Sequence, residues 1–335
     1  MIKLRPLPPG GTIGIMAPSS PVDEEKLQNG VSYLEKIGYR VYTTPGCRAR
    51  EHYLAGSPAK RAAELMELVS DDRVDAVFFA RGGFGSLAML PLLDYRTIRA
   101  SRKLMVGFSD ITALQWGIYA KTGMPSLSGG MPAVDFARQP VNPRFEETFW
   151  KFIETGIMDC ELPSSSIRIG GGSKTVDSDP ITHQHNTYLK SPSDGSEPEI
   201  IRGIALPGTL SVAIRLAGTP WAPDFRNAIP VFEDVAESRH KIEGSLMQAR
   251  LSGWLDPCRA IIFGDFAAPE KETFPDNPTL GQIIDRVLEN IDIPILTGMP
   301  YGHIDHKIPV TVGHEISLSL GNSVKVSSTD TLFAH

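Results

Sequence analysis

The sequence predicts an α/β protein of two domains, the first built on a parallel sheet and the second ending in a small antiparallel or mixed sheet. Three observations carry this. In the first half, short β-branched or apolar runs alternate with helical patterns, the signature of βαβ units. From Ser164 to Glu199 the composition turns to Ser, Gly, Asp, Pro and His with little periodicity, which reads as a connector. Beyond it the alternation resumes and ends in β-rich runs. A chain of 335 residues, 41% hydrophobic and 21% charged, is long enough for two such cores.

In order, the strands of the first half are expected at Thr12–Ala17, Arg40–Thr44, Val74–Ala80 and Leu104–Phe108. Between them, Asp23–Ile37 carries Leu27, Val31 and Leu34 at helical spacing, and Pro58–Val69 follows Ser57, a good N-cap. A helix over Pro143–Glu154 closes this half, so the first domain is set at 1–160, the connector at 161–200 and the second domain at 201–335. The second domain is expected to run Ile200–Leu206, a helix Thr209–Ala217, strand Ile229–Phe232, helix Arg239–Leu255, strand Ala260–Phe263 and helix Leu280–Asn290. It ends in β-rich runs at Pro309–Leu320 and Val324–Ser328, and no internal repeat is visible.

A net charge of −6 and a pI near 5.8 leave no basic excess to neutralise phosphates, so nucleic acid is not an expected partner. The three cysteines, Cys47, Cys160 and Cys258, lie far apart with no CxxC spacing, which argues against a disulfide framework or a zinc knuckle. No stretch approaches a membrane span, and the first residues lack the apolar core of a signal peptide. A soluble cytoplasmic protein acting on small molecules or peptides is the expectation.

Four segments carry chemistry. In Leu104–Trp116 an apolar strand stops at Ser109 and a helix starts at once, a geometry that exposes a serine and offers the next N–H and the helix N-terminus to an oxyanion. Equally, Ser109 or Asp110 could simply cap that helix, and the G-x-S-x-G pattern is not met because Ile111 stands two residues after Ser109. The turn Arg81-Gly82-Gly83-Phe84-Gly85 follows an apolar strand, where glycines let backbone approach a ligand and Arg81 could grip a carboxylate, or could serve as a turn with a solvated arginine. Two carboxylates, Glu233 and Asp234, end the strand at Ile229; one could orient a histidine, or both could be solvated. The loop Gly298–Lys307 carries His303 and His306, of which either suits a general base. His303, Asp305, His306 and His314 fit no metal-ligand spacing, so no metal is expected, and His183 and His185 read as solvated loop residues.

At TIGIMAPSS, ARGGFGS, VGFSDITAL, LAGTPWAPDF with VFEDV, and GMPYGH, spanning about Thr12 to Val312 in order, the chain resembles peptidase family S66, the LD-carboxypeptidase and microcin-immunity family. The resemblance implies a first domain of glutamine-amidotransferase-like type, a smaller β-rich second domain, an active site between them and a homodimer. It places the nucleophile on Ser109, the acid on Glu233 rather than Asp234, the base on His303 rather than His306, and the oxyanion hole on the N–H of Asp110 and of Gly82 or Gly83. It implies release of a terminal D-amino acid from a murein tetrapeptide without any cofactor, with hydrolysis of peptidyl or aminoacyl nucleotides as the alternative. Two departures stand out: Pro207-Gly-Thr-Leu210 where the family has G-G-N-L, and Gly302-His-Ile304 where it has G-H-G. An α/β-hydrolase esterase and a binding module that keeps the fold are the readings from other classes.

Overall fold

The computed structural model describes residues 1–163, 167–169, 198–267, 276–321 and 323–334. Strands β1 (Thr12–Met16), β2 (Arg40–Thr43), β3 (Ala76–Phe79), β4 (Leu104–Gly107) and β5 (Ser126–Ser128) are parallel, in the order β5-β4-β3-β1-β2. Every residue of β3 and β4 is buried, as expected of strands covered on both faces. The crossovers are helices α1 (Glu24–Lys36), α2 (Pro58–Ser70), α3 (Tyr95–Ser101) and α4 (Thr112–Thr122), and α5 (Pro143–Thr155) follows. Asp23, Ser57, Asp94 and Asn142 cap the N-termini of α1, α2, α3 and α5 by accepting backbone N–H groups.

The second sheet draws on β6 (Asp159–Pro163), β7 (Ile167–Ile169), β8 (Glu199–Thr209), β9 (Ala228–Val235), β10 (Ile261–Ala267), β11 (Pro294–Thr297), β13 (Glu315–Leu320) and β14 (Ser323–Ser328), with β12 (Val310–Val312) going elsewhere. Its order is β6-β14-β13-β8-β9-β10-β11-β7. Strands β8 to β11 are parallel, and antiparallel strands flank them on both sides. Helices α6 (Leu210–Ala213), α7 (Arg239–Leu251) and α8 (Leu280–Val287) connect the parallel strands.

Several expectations need correction. Among the described residues the second sheet, with eight strands against six, is the larger of the two rather than a small one. The first sheet is not purely parallel, because β12 leaves the second half of the chain and pairs antiparallel with β5. Strands β6 and β7, at the start of the expected connector, pair with β14 and β11 at the two edges of the second sheet; residues 170–197, including His183 and His185, lie outside the described residues. The helix expected from Thr209 starts one residue later, since Thr209 is still on the β8 ladder opposite Glu233. Helix α7 stops short of Leu255 as Gly253 takes a left-handed φ of +71°, and α8 stops short of Asn290, itself left-handed at +67°.

Helix α4 is wedged between the sheets and nearly buried all round, from Thr112 to Ile118. Its Trp116 is fully buried among Phe225, Phe232 and Trp254, and its indole N–H donates to the Pro207 carbonyl at 2.8 Å. Gly208 on β8 lies so close that a Cβ there would meet Thr112 Cγ2 at 2.5 Å. Trp116→Ala removes a large ring from this junction and strands the Pro207 carbonyl. A loss of about 3–5 kcal/mol is expected from truncating such a buried aromatic, measured by urea denaturation; a loss under about 1 kcal/mol would show that the two halves do not depend on this contact.

Candidate active site

Strand β4 delivers Ser109 at its carboxyl end, where open parallel sheets bind ligands. Ser109 has φ +67°, a left-handed conformation that costs a non-glycine residue about 1–2 kcal/mol. A short 3-10 turn, Ser109–Ile111, then leads into α4. The capping reading of Ser109 and Asp110 does not hold: the helix start has no side-chain cap, Ser109 Oγ lies 3.1 Å from His303 Nε2, and the Asp110 carboxylate turns to other loops. Strain at this serine is thus held by what surrounds it.

Strand β9 delivers two adjacent carboxylates, and because successive side chains of a strand point to opposite faces only one can reach the histidine. It is Glu233, fully buried, with Oε2 at 2.8 Å from His303 Nδ1 and Oε1 accepting from the Thr209 hydroxyl. A carboxylate can only accept, so Nδ1 carries the proton and Nε2 faces Ser109 as an acceptor. Asp234 turns away and accepts from Ser211 N at 2.7 Å, Ser211 Oγ at 3.1 Å and Val235 N at 2.9 Å. Burial pushes the Asp234 carboxyl up to about 6, against the pull of those hydrogen bonds.

The loop carrying His303 is docked onto the first sheet. Tyr301, fully buried, shares a hydrogen bond of 2.7 Å with Ser128 of β5, and Lys307 makes a buried ion pair of 2.6 Å with Asp135. The Lys307 ammonium sits 4.7 Å from the centre of the Phe108 ring, which also packs against the His303 ring at 4.7 Å. His306 is exposed and outside this arrangement, and His314 is buried beside Asp330, 3.0 Å away. Among the described residues no group of three or more His, Cys, Asp or Glu could hold a metal ion. Asp265 on β10 lies near Glu233 and His303, and burial followed by the Glu233 charge raises its carboxyl.

The Gly-rich turn after β3 meets the serine directly. A Cβ on Gly82 would lie 2.8 Å from Ser109 Cβ and 3.1 Å from the Asp110 nitrogen, so only glycine fits. Arg81, half-buried, donates to the Gly82 and Pro21 carbonyls at 3.2 and 3.3 Å. It lines a recess of about 340 Å³ with Asp23, Lys26, Val134 and Arg138. Arg138 in turn pairs with Asp305, two residues after His303. Thr209, noted in the sequence only as a departure from G-G-N-L, was missed as the second partner of Glu233, and no local pattern marks Asp135 or Lys307 as partners.

Two stability tests follow. Ser109→Gly should be more stable than Ser109→Ala by about 1 kcal/mol in urea denaturation, because alanine keeps the left-handed strain and glycine does not; equal stabilities would mean that the turn is unstrained. For Asp234, a carboxyl titrating near 6 when folded and near 3.9 unfolded holds its proton more tightly in the native state. Its contribution to stability is present below about pH 4 and lost as pH rises through about 6. Asp234→Asn should flatten that decline relative to wild type, and an unchanged pH curve would refute the assignment.

The chain is similar to known proteins over most of its length. The LD-carboxypeptidase N-terminal domain model of peptidase family S66 matches residues 13–129, and the C-terminal domain model matches 202–318. A probable murein peptide carboxypeptidase of Bacillus subtilis is 28% identical, covering 97% of this chain and 93% of that protein. The murein tetrapeptide carboxypeptidase of Pseudomonas aeruginosa is 27% identical, covering 88% and 89%. The microcin C7 self-immunity protein MccF of Escherichia coli is 26% identical over 95% of this chain and 93% of its own. The structure of MccF in complex with glutamyl sulfamoyl guanosine superposes with a TM-score of 0.82 at 25% identity, covering both chains fully. With both domain models matched in order and the fold shared from end to end, the chain belongs to peptidase family S66, the LD-carboxypeptidases, and is a serine-type carboxypeptidase hydrolase.

Proposed function

We propose that Ser109, His303 and Glu233 act as nucleophile, general base and orienting acid in releasing a terminal D-alanine from a murein tetrapeptide. The observation that carries this reading is the hydrogen-bonded chain from Ser109 through His303 to Glu233, with the serine at the head of α4. His303 Nε2 takes the Ser109 proton as Oγ attacks the carbonyl of the L,D-peptide bond, while Glu233 keeps the imidazole in the tautomer with Nδ1–H. The tetrahedral oxyanion is held by the N–H of Asp110 and of Gly82 or Gly83, aided by the helix N-terminus; one such donor is worth about 3 kcal/mol in measured deletions. His303 then protonates the departing amine, the C–N bond breaks, and water activated by the same histidine resolves the acyl-enzyme. Arg81 suits the free carboxylate of such a substrate, since its recess gathers Lys26 and Arg138 and starts one residue from the glycine that touches Ser109. A cytoplasmic homodimer that needs no cofactor and acts on a small peptide belongs to the same proposal; among the described residues no helix is long and apolar enough to cross a membrane.

Hydrolysis of an aminoacyl or peptidyl nucleotide is the second reading, favoured by the full-length superposition on MccF. One assay separates the two: D-alanine release from L-Ala-γ-D-Glu-meso-diaminopimelyl-D-Ala beside hydrolysis of an aminoacyl sulfamoyl adenylate. D-alanine release is expected, falling about 10⁶-fold in Ser109→Ala, as for nucleophile deletions in other serine hydrolases. Hydrolysis of the adenylate alone would transfer the assignment to the second reading, and activity that survives Ser109→Ala would overturn both. Arg81→Ala should raise KM with kcat little changed; an unaltered KM would remove Arg81 from the carboxylate site.

A further inference from the structure

Beneath the serine lies a buried polar assembly that the mechanism above does not use. The Asp110 side chain, 2% exposed, accepts through one oxygen, Oδ2, from the Ser19 hydroxyl at 2.6 Å and from the Ser86 backbone N–H at 2.9 Å. The Ser86 hydroxyl donates back to the Asp110 carbonyl at 2.5 Å, and Ser19 and Ser86 are both fully buried. One residue is thereby tied to the loop after β1 and to the end of the Gly-rich turn. The same two loops are held a second time by Arg61 of α2, 1% exposed, which donates to the carbonyls of Pro18 and Gly85 and, at 2.9 Å, of Gly56. Burying a carboxylate and a guanidinium costs several kcal/mol unless each is well bonded, so this arrangement serves geometry rather than stability.

The Asp110 N–H is one proposed oxyanion donor, and the other comes from Gly82 or Gly83, which belong to the turn that ends at Ser86. The two donors sit on different loops, which leave β3 and β4 beyond the last pair of their ladder, Phe78 with Val106. The bonds from Ser86 N and Ser86 Oγ to Asp110 tie the loops directly to each other. We infer that the Asp110 carboxylate is a positioning residue that sets the spacing of the two oxyanion donors, by accepting hydrogen bonds from Ser19 and Ser86. This inference rests on Ser109 being the nucleophile and goes beyond it, since it gives the Asp110 side chain a role separate from its own N–H. Because both bonds end on one oxygen, an asparagine that presents its carbonyl there keeps them, and an alanine loses them.

The test is the second-order rate of Ser109 labelling by a fluorophosphonate, which needs the same oxyanion donors and no knowledge of the natural substrate, beside kcat and KM for D-alanine release. Asp110→Ala should slow labelling and kcat by about 10²-fold, the usual cost of misplaced catalytic donors, with KM within about threefold of wild type. Asp110→Asn should restore both rates to within about fivefold of wild type. Should Asp110→Ala fail to fold, Ser19→Ala removes one bond from the partner's side and is expected to slow labelling by about 10-fold. Labelling by Asp110→Ala at the wild-type rate, an asparagine variant as slow as the alanine one, or a loss seen only in KM would each overturn the inference. Wild type that takes no label, or Ser109→Ala that does, would instead refute the reading of Ser109.

Discussion

The contact between the start of α4 and the end of β8 sets everything else at the site, because Ser109 and Glu233 come from different sheets. Thr112, in the first turn after Ser109, accepts from the Thr209 N–H at 3.1 Å, and Gly208 leaves just enough room for the Thr112 methyl. Thr209 then donates its hydroxyl to Glu233, Glu233 accepts from His303, and His303 reaches back to Ser109. The path is a closed ring through two sheets and one helix. A closed ring of short contacts fixes each member more firmly than any pair alone, and it explains how a left-handed serine is tolerated at the turn.

The histidine needs its own restraint, since it comes from a loop rather than from a ladder. That restraint comes from the first sheet. Tyr301 is anchored on Ser128, Lys307 on Asp135, and the chain after the loop enters the first sheet as β12 beside β5. A buried ion pair such as Lys307–Asp135 contributes little net stability against a hydrophobic pair of equal size. Its value lies in register: an ammonium paired anywhere else in this apolar setting would be left uncompensated, so the loop has one favourable seat. The Phe108 ring, between the strand and the serine, fills the space that Lys307 and His303 both touch.

Much of this was legible in the sequence, and the reasons differ by element. Strands β1, β3 and β4 fell within one or two residues of expectation because buried parallel strands are short apolar runs bounded by glycine, proline or polar residues, and the exposed edge strand β2 was marked by its β-branched and aromatic residues. Ser109, Glu233 and His303 come from three separated motifs, and the fold brings them within hydrogen-bonding distance of one another through His303. The partners of β6, β7 and β12 were not legible, because strand pairing is set by the tertiary fold and leaves no mark in a three- to five-residue run. For the same reason the second sheet looked small: one edge strand, β7, comes from the segment that composition assigned to a connector, and the other, β6, straddles the boundary set at residue 160. The Asp110 carboxylate was hidden for a different reason. An acid after a serine at a helix start reads as a cap, and only the loops folded beneath it reveal other partners.

The polar groups buried near Ser109 divide into two sets with opposite energetic logic. Glu233 and His303 form a chain that runs from a fully buried carboxylate to an imidazole still partly open to solvent. Arg61, Asp110, Ser19 and Ser86 are closed off, with the guanidinium lowered by burial and supported by the nearby Asp110 charge. A group that exchanges protons must keep a path to solvent, and a group that only holds backbone must lose it, or water would compete for its bonds. One Arg61 nitrogen, Nη2, has no hydrogen-bond partner among the described residues, which is the residual cost of spanning three carbonyls with a rigid fork. That cost, with the strain at Ser109, concentrates at one end of the first sheet, where the remaining core of β3, β4 and α4 is continuous and apolar enough to carry it.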